Sequence, residues 1–156
     1  MIMKKTAVIY WSGTGNTEAM AQAVLAGMQE AGAEAALYTT AEVTPALFDD
    51  LTGVAFGCPA MGAEVLEEMD FQPMWDEAKG FLGGKNVALF GSYGWGDGEW
   101  MRSWEADCEE AMVNLVCESV ICMAAPDDTA IEACKALGKA VVGYGINFQQ
   151  RRMNQL

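Results

Sequence analysis

Trp11-Ser12-Gly13-Thr14-Gly15-Asn16-Thr17, set directly after the apolar run Ala7 to Tyr10, is the stretch on which the reading of the chain turns. A strand, a hydroxyl-rich turn and the start of a helix follow one another there without a spacer. A helix from about Asn16 to Gln29 leaves its first amide donors unpaired and directed back into the turn, where they favour an anion. Gly13 and Gly15 let the backbone close around that anion with no Cβ in the way. Ser12, Thr14 and Thr17 add hydroxyl donors and Asn16 adds an amide, so the guest expected is a phosphate. The stretch lacks the Gly-Lys-Ser/Thr ending of a nucleoside-triphosphate loop and the third glycine of a dinucleotide fingerprint. Taken alone it also reads as an ordinary strand-to-helix turn with a Thr or Asn cap, and other stretches have to decide.

Around this loop, strands and helices alternate. Thr6 to Trp11 is a near-continuous apolar run, as in a strand covered on both faces, and Met20, Ala21, Val24, Leu25 and Met28 recur at helical spacing until Gly32. Ala35 to Thr39 reads as a second strand leading to a brief helix around Ala46 to Asp50, and Thr52 to Gly57 as a third strand. Glu64 to Met69 and Phe71 to Phe81 read as acidic helix, broken near Pro73. Asn86 to Phe90 is a fourth strand, followed by a helix from about Glu99 to Val113. Leu115 to Met123 is a fifth strand, and Pro126, Asp127 and Asp128 open a last helix to about Val142, with the acids complementing its dipole. This alternation predicts an α/β fold: a three-layer, doubly wound, five-stranded parallel sheet in the order 2-1-3-4-5. Residues 1–143 make one domain, and 144–156, with Arg151 and Arg152, are a C-terminal extension.

In such a sheet ligands bind beyond the carboxyl ends of the strands, at the switch point between the first and third. The glycine-rich loops after strands one, three and four converge there. The second of them carries Met61, and the third carries Tyr93 and Trp95, flat or soft side chains that suit a planar aromatic ring.

Bulk composition narrows the function further. With 9 basic and 22 acidic residues among 156, a formal charge of −13 opposes nucleic acid and anionic membrane surfaces and suits a basic protein partner. Five cysteines, odd in number and without CxxC spacing, read as buried thiols in a reducing cytoplasm. Histidine is absent, which excludes a histidine-based triad and the commonest metal ligand. No signal peptide and no run of about 20 apolar residues is found, so a cytoplasmic protein is expected.

SGTGNT (12–17), GCPAMGAEVLEE (57–68) and FGSYGWGDGEWMR (90–102) resemble the flavin-binding loops of short-chain flavodoxins, most closely those of clostridial and other anaerobic bacteria. The resemblance spans about residues 5 to 142, and the uninterrupted fifth strand places the chain in the short subclass. It implies FMN held non-covalently and a low-potential one-electron carrier, without substrate turnover, cycling between semiquinone and hydroquinone. By the resemblance, Ser12, Gly13, Thr14, Gly15, Asn16, Thr17 and Ser92 hold the phosphate, while Met61 and Trp95 flank the isoalloxazine. Glu64 accepts the flavin N3 hydrogen, the amides of Gly94 and Gly96 face the pyrimidine oxygen, and the Gly62 carbonyl turns toward N5. Pro59, Ala60, Ala63, Tyr93 and Asp97 complete the binding loops. The partners implied are basic-surfaced reductases and acceptors, met transiently by a monomer.

Three positions depart from the family pattern: Pro59 where a serine helps hold the cofactor, Ala63 in place of a polar residue, and Ala124 near an asparagine that often touches the flavin. Two other readings stand beside the carrier: an FMN-dependent NAD(P)H or quinone reductase, and a flavin-free module that kept the fold.

Overall fold

The computed structural model describes residues 4–143; the expected C-terminal extension lies outside the described residues. Its sheet has five strands, all parallel, in the order β2-β1-β3-β4-β5. The strands are β1 (Lys5–Tyr10), β2 (Glu34–Thr39), β3 (Gly53–Gly57), β4 (Asn86–Tyr93) and β5 (Val120–Met123). The helices are α1 (Asn16–Glu30), α2 (Phe71–Ala78), α3 (Glu99–Glu110) and α4 (Asp128–Val142).

The two-residue period of the central strands divides the core. Ala7 and Ile9 of β1, Val54 and Phe56 of β3, and Val87 and Leu89 of β4 face the layer built by α2 and α3. The intervening Val8, Ala55, Ala88 and Phe90 face α1 and α4. On the α2/α3 side the volume is filled by aromatics: Trp75 meets Phe56 edge-on at 5.0 Å and Trp104 at 5.7 Å, and Trp104 meets Phe71 at 5.3 Å. On the other side α1 and α4 cross closely through two glycines. A Cβ at Gly27 would run into the Lys135 carbonyl, and one at Gly138 into that of Val24. Fully buried strand residues on both faces explain why the runs read as continuous apolar segments.

Several segments differ from the sequence expectation. Glu64 to Met69 is not helical; it is a tight turn and loop, and α2 starts only at Phe71. The reason is Glu67, which is 6% exposed and turns its carboxylate inward to accept from the backbone N–H groups of Met69, Asp70 and Phe71, each at 2.8 Å. Those of Asp70, the N-cap, and Phe71 are donors that the start of a helix leaves unpaired. Pro73 does not break the helix because it sits in its first turn, where no intrahelical acceptor is needed.

The brief helix expected at 46–50 is a 3-10 turn over Pro45–Asp50, preceded by another at Thr40–Glu42 whose Thr39 and Glu42 form a capping box. Helix α3 ends at Glu110, short of Val113. Strand β4 runs three residues past Phe90, so Gly91, Ser92 and Tyr93 are strand and pair with Ile121, Cys122 and Met123. The fifth strand is interrupted. Leu115 bridges to Val87, but regular pairing resumes only at Val120 opposite Phe90, so β5 gains two residues over its partner between these points. The surplus forms a bulge-like excursion around Cys117 to Ser119.

Candidate functional site

The loop after β1 closes on itself through Ser12, whose Oγ accepts from the backbone N–H of Gly15 at 3.1 Å and of Glu18 at 3.3 Å. Gly15, the N-cap of α1, has φ 98°, a conformation that glycine reaches without strain. The turn delivers the first-turn amides of Asn16 and Thr17 to the carboxyl edge of the sheet, and helix geometry gives neither an acceptor within the helix. The Thr17 side chain is 1% exposed, and its Oγ1 has no hydrogen-bond partner. A buried hydroxyl in that condition costs on the order of 1–3 kcal/mol unless a ligand meets it.

The loop after β3 leaves the sheet at Cys58, whose N–H still donates to Phe90, and stays beside β4 through the Ala60 N–H to Ser92 carbonyl bond at 3.0 Å. Met61 and Val65 then exchange both backbone hydrogen bonds, at 2.8 and 3.1 Å, closing a turn over Gly62, Ala63 and Glu64. Gly62 (φ 41°) and Glu64 (φ 57°) both lie in the left-handed region. The base of the loop is clipped by the Glu67 N–H to Cys58 Sγ contact at 3.4 Å. Burial pushes the Cys58 thiol up to about 12, so it serves as an inert packing group there.

The loop after β4 runs from Gly94 to Gly98. Arg102 of α3 clamps it, donating to the Asp97 carbonyl at 3.0 Å and to its carboxylate at 2.9 Å. That bond, with the charge of the guanidinium, lowers the Asp97 pKa. Tyr93 packs on Trp100 at 5.5 Å.

These loops enclose a cleft of about 300 Å³. Ser12, Gly13, Thr14, Asn16 and Thr17 line it from the first loop, Pro59, Ala60 and Met61 from the second, and Ser92, Tyr93 and Gly94 from the third. Its lining contains no lysine or arginine, so an anion there meets only neutral donors and the positive end of α1. Gly15 lies behind the first loop as its cap, and Gly62, Ala63, Gly96 and Asp97 stand outside the lining. Trp95 is 63% exposed on the rim. Glu64 lines a neighbouring cleft, with its carboxylate tucked under Gly96 and Oε1 buried without a partner. The Ser92 hydroxyl donates to the Ala124 carbonyl at 2.6 Å, which commits its hydrogen to the loop after β5.

Two lining residues were not among the sequence-derived binding set. Trp11 lays its ring beside Gly13, where a Cβ would stand 3.1 Å from it; the sequence showed it only as the last apolar residue before the turn. Ala124, noted from the sequence only as a departure from the family pattern, holds φ 58° and donates its N–H to the Tyr93 carbonyl at 2.8 Å.

The fold and this cleft define a doubly wound α/β protein with an anion-accepting ligand site at its switch point. The profile of the family described as Flavodoxin matches residues 8–138. The chain is 42% identical to the flavodoxin of Clostridium beijerinckii over 140 residues, covering 86% of this chain and 96% of that one. It is 40% identical to that of Megasphaera elsdenii over 135 residues, covering 85% and 95%. The solution structure of two-electron reduced Megasphaera elsdenii flavodoxin superposes with a TM-score of 0.76 at 37% identity, covering 88% of this chain and 98% of that one. The chain therefore belongs to the flavodoxin family, whose members bind FMN and carry electrons between redox partner proteins.

Flavodoxins turn over no substrate of their own, which sets aside the reductase reading, and they bind FMN, which sets aside the flavin-free module. The residues present fit the cofactor: the orphaned Thr17 hydroxyl and the first turn of α1 suit a phosphate, and Met61 and Tyr93 supply flat or soft walls beyond it.

Proposed function

We propose that the FMN of this carrier sits in the 300 Å³ cleft with its phosphate on the first loop and its ring between the second and third. FMN supplies the one-electron chemistry; the residues bind it, orient it and set the charge around it. Asn16 and Thr17 present first-turn amides to the phosphate, Thr14 and Thr17 add hydroxyl donors, and the Ser12 side chain fixes the loop. Pro59 and Ala60 contribute surface and no side-chain donor. Met61 packs on one face of the ring and Trp95, on the rim, covers the other. Glu64 and the Gly94 and Gly96 amides take the polar edge. Ala63 and Asp97 shape the turns that carry these groups, and Ser92 with Tyr93 forms the floor. A Cβ at Gly62 would meet nothing within 4 Å. Because glycine has no Cβ of its own, the peptide that follows can take either orientation, and its carbonyl can accept from a ring nitrogen that gains a proton.

The buried, unpartnered Thr17 hydroxyl in a cleft without cations is the observation that carries this placement. Calorimetric titration of the purified chain tests it: FMN should bind at least about tenfold tighter than riboflavin, which lacks the phosphate. Equal affinities would move the phosphate off the first loop.

The same reading assigns residues 1–143 as the FMN-binding unit. It makes the protein a cytoplasmic monomer that meets basic-surfaced partners transiently at the exposed rim. The odd number of cysteines and their lack of CxxC spacing support a reducing compartment, and the charge of −13 supports basic partners. No helix of the described residues is long and apolar enough to cross a membrane.

A further inference from the structure

Of the aspartates and asparagines in the chain, Asp97 alone precedes a glycine. The pair ends the loop after β4, and Gly98 is the N-cap of α3. The Asp97 side chain is 79% exposed, and Gly96 (φ 87°) and Gly98 (φ 91°) flank it in the left-handed region. The Gly98 nitrogen, bonded to the Asp97 carbonyl carbon, can reach the side-chain carboxyl carbon by closing a five-membered ring. Glycine has no Cβ to obstruct that approach, whereas every other aspartate here is followed by a residue that has one.

Arg102 opposes the closure. Its guanidinium donates to the Asp97 carbonyl at 3.0 Å and to carboxylate Oδ1 at 2.9 Å, and so holds both carbonyl groups that the ring would contain. In a cyclic imide those two oxygens lie on opposite sides of the nitrogen and point apart, so one guanidinium cannot keep both bonds. The bond and charge of Arg102 also hold the Asp97 carboxyl below its ordinary range, in the ionised form that is the poorer electrophile.

We infer that the Asp97–Gly98 peptide is a site of spontaneous isomerisation in this protein and that the Arg102 clamp restrains it. The Gly98 nitrogen attacks the Asp97 carboxyl carbon Cγ, the N–Cγ bond forms, and the N–H hydrogen leaves with the carboxyl hydroxyl as one water. Water then adds back at either carbonyl of the imide. Addition at Cγ breaks the new bond and restores Asp97. Addition at the main-chain carbonyl breaks the original peptide bond instead, so the chain runs through Cβ and Cγ and the carboxylate is left on Cα. One water is released and one consumed, and nothing is oxidised or reduced. The product carries one extra methylene in its main chain, between Gly96, which lies over the Glu64 carboxylate, and the first turn of α3.

The test is incubation of the FMN-loaded chain in warm neutral buffer, followed by digestion with an Asp-specific endoprotease, which does not cut before an isoaspartyl residue. Cleavage before Asp97 should be lost with time while cleavage before Asp49, Asp76 and Asp107 persists. The uncut peptide should keep its mass, with a minor species lighter by one water. Arg102→Gln should lose the cut about two- to fivefold faster, the range that one exposed ion pair supplies. Arg102→Lys keeps the charge without the fork and should fall between the two, and it reads the clamp by itself if Arg102→Gln does not retain FMN. Asp97→Glu, whose ring would need a sixth member, should give no species lighter by one water at this peptide. No loss of the cut in wild type and variants alike, earlier loss at another aspartate, or equal rates with and without the clamp would overturn the inference.

Discussion

At the scale of single residues, Thr17 separates the demands of the empty fold from those of the ligand. Its Oγ1 is buried and unpartnered, while its methyl and Cβ pack at the start of α1. Thr17→Val keeps the shape and removes the hydroxyl. In the FMN-free chain this relieves a buried polar atom, so stability in urea should rise by about 1 kcal/mol. On the proposed placement it removes a donor to a charged phosphate in the complex, so FMN affinity should fall by about 1.5–3 kcal/mol, tenfold or more, with riboflavin affinity unchanged. Opposite signs for stability and binding at one site are hard to obtain from a general packing defect. Loss of stability together with unchanged FMN affinity would remove Thr17 from the phosphate contacts.

At the scale of elements, what the sequence showed and what it concealed have different physical origins. The order of the sheet was legible because β1, β3 and β4 are buried on both faces and read as apolar runs. The first loop was legible because SGTGNT has to break a strand and open a helix within a few residues. The acidic stretch 64–69 misled because helical spacing of charges looks the same whether a carboxylate points to solvent or, as Glu67 does, into the backbone of the next element. The interruption of β5 left only a faint trace, Glu118 and Ser119 within an otherwise apolar run, because two polar residues also fit a strand with one face open to solvent. The placement of Glu64 and Trp95 outside the lining of the main cleft depends on turn geometry at Gly62 and Gly96, which no periodicity encodes.

Glu67 gives this level its prediction. Burial raises its pKa, but hydrogen bonds from Phe71, Asp70 and Met69 together outweigh that, and the net shift is downward from 4.5. A folded pKa below the unfolded one means the carboxylate stabilises the fold above about 4.5, and that stability is lost as pH falls through the lower, folded value. Glu67→Gln should therefore cost about 1–3 kcal/mol at pH 7. The gap between wild type and variant in urea unfolding should narrow as the pH is taken below 4. A gap that stays constant with pH would show that the charge of Glu67 is not what holds the start of α2.

At the scale of the whole molecule, the parallel sheet sets charge and ligand at one end. All the helices lie antiparallel to the strands, so their first turns gather at the carboxyl edge, and Glu18, Glu99 and Asp128 stand in those turns. The same edge exposes Val65, Trp95 and Met123. An apolar rim within an acidic field on a chain of charge −13 fits the proposed transient encounter, in which attraction would bring a basic partner near and a small apolar contact would let it leave. Attraction of this kind is screened by salt, because the Debye length shrinks from about 30 Å at 0.01 M to about 8 Å at 0.15 M. The second-order rate of electron transfer from a basic-surfaced reductase should thus fall about tenfold or more over that range, as steered associations do. Reduction by a small uncharged reductant, which feels no such field, should change little and serves as the control. On the proposed placement the phosphate meets only neutral donors, so FMN affinity should not follow the same salt curve. A partner rate that stays flat with salt would mean that the acidic surface serves solubility alone, and that recognition rests on the rim formed by Val65, Trp95 and Met123.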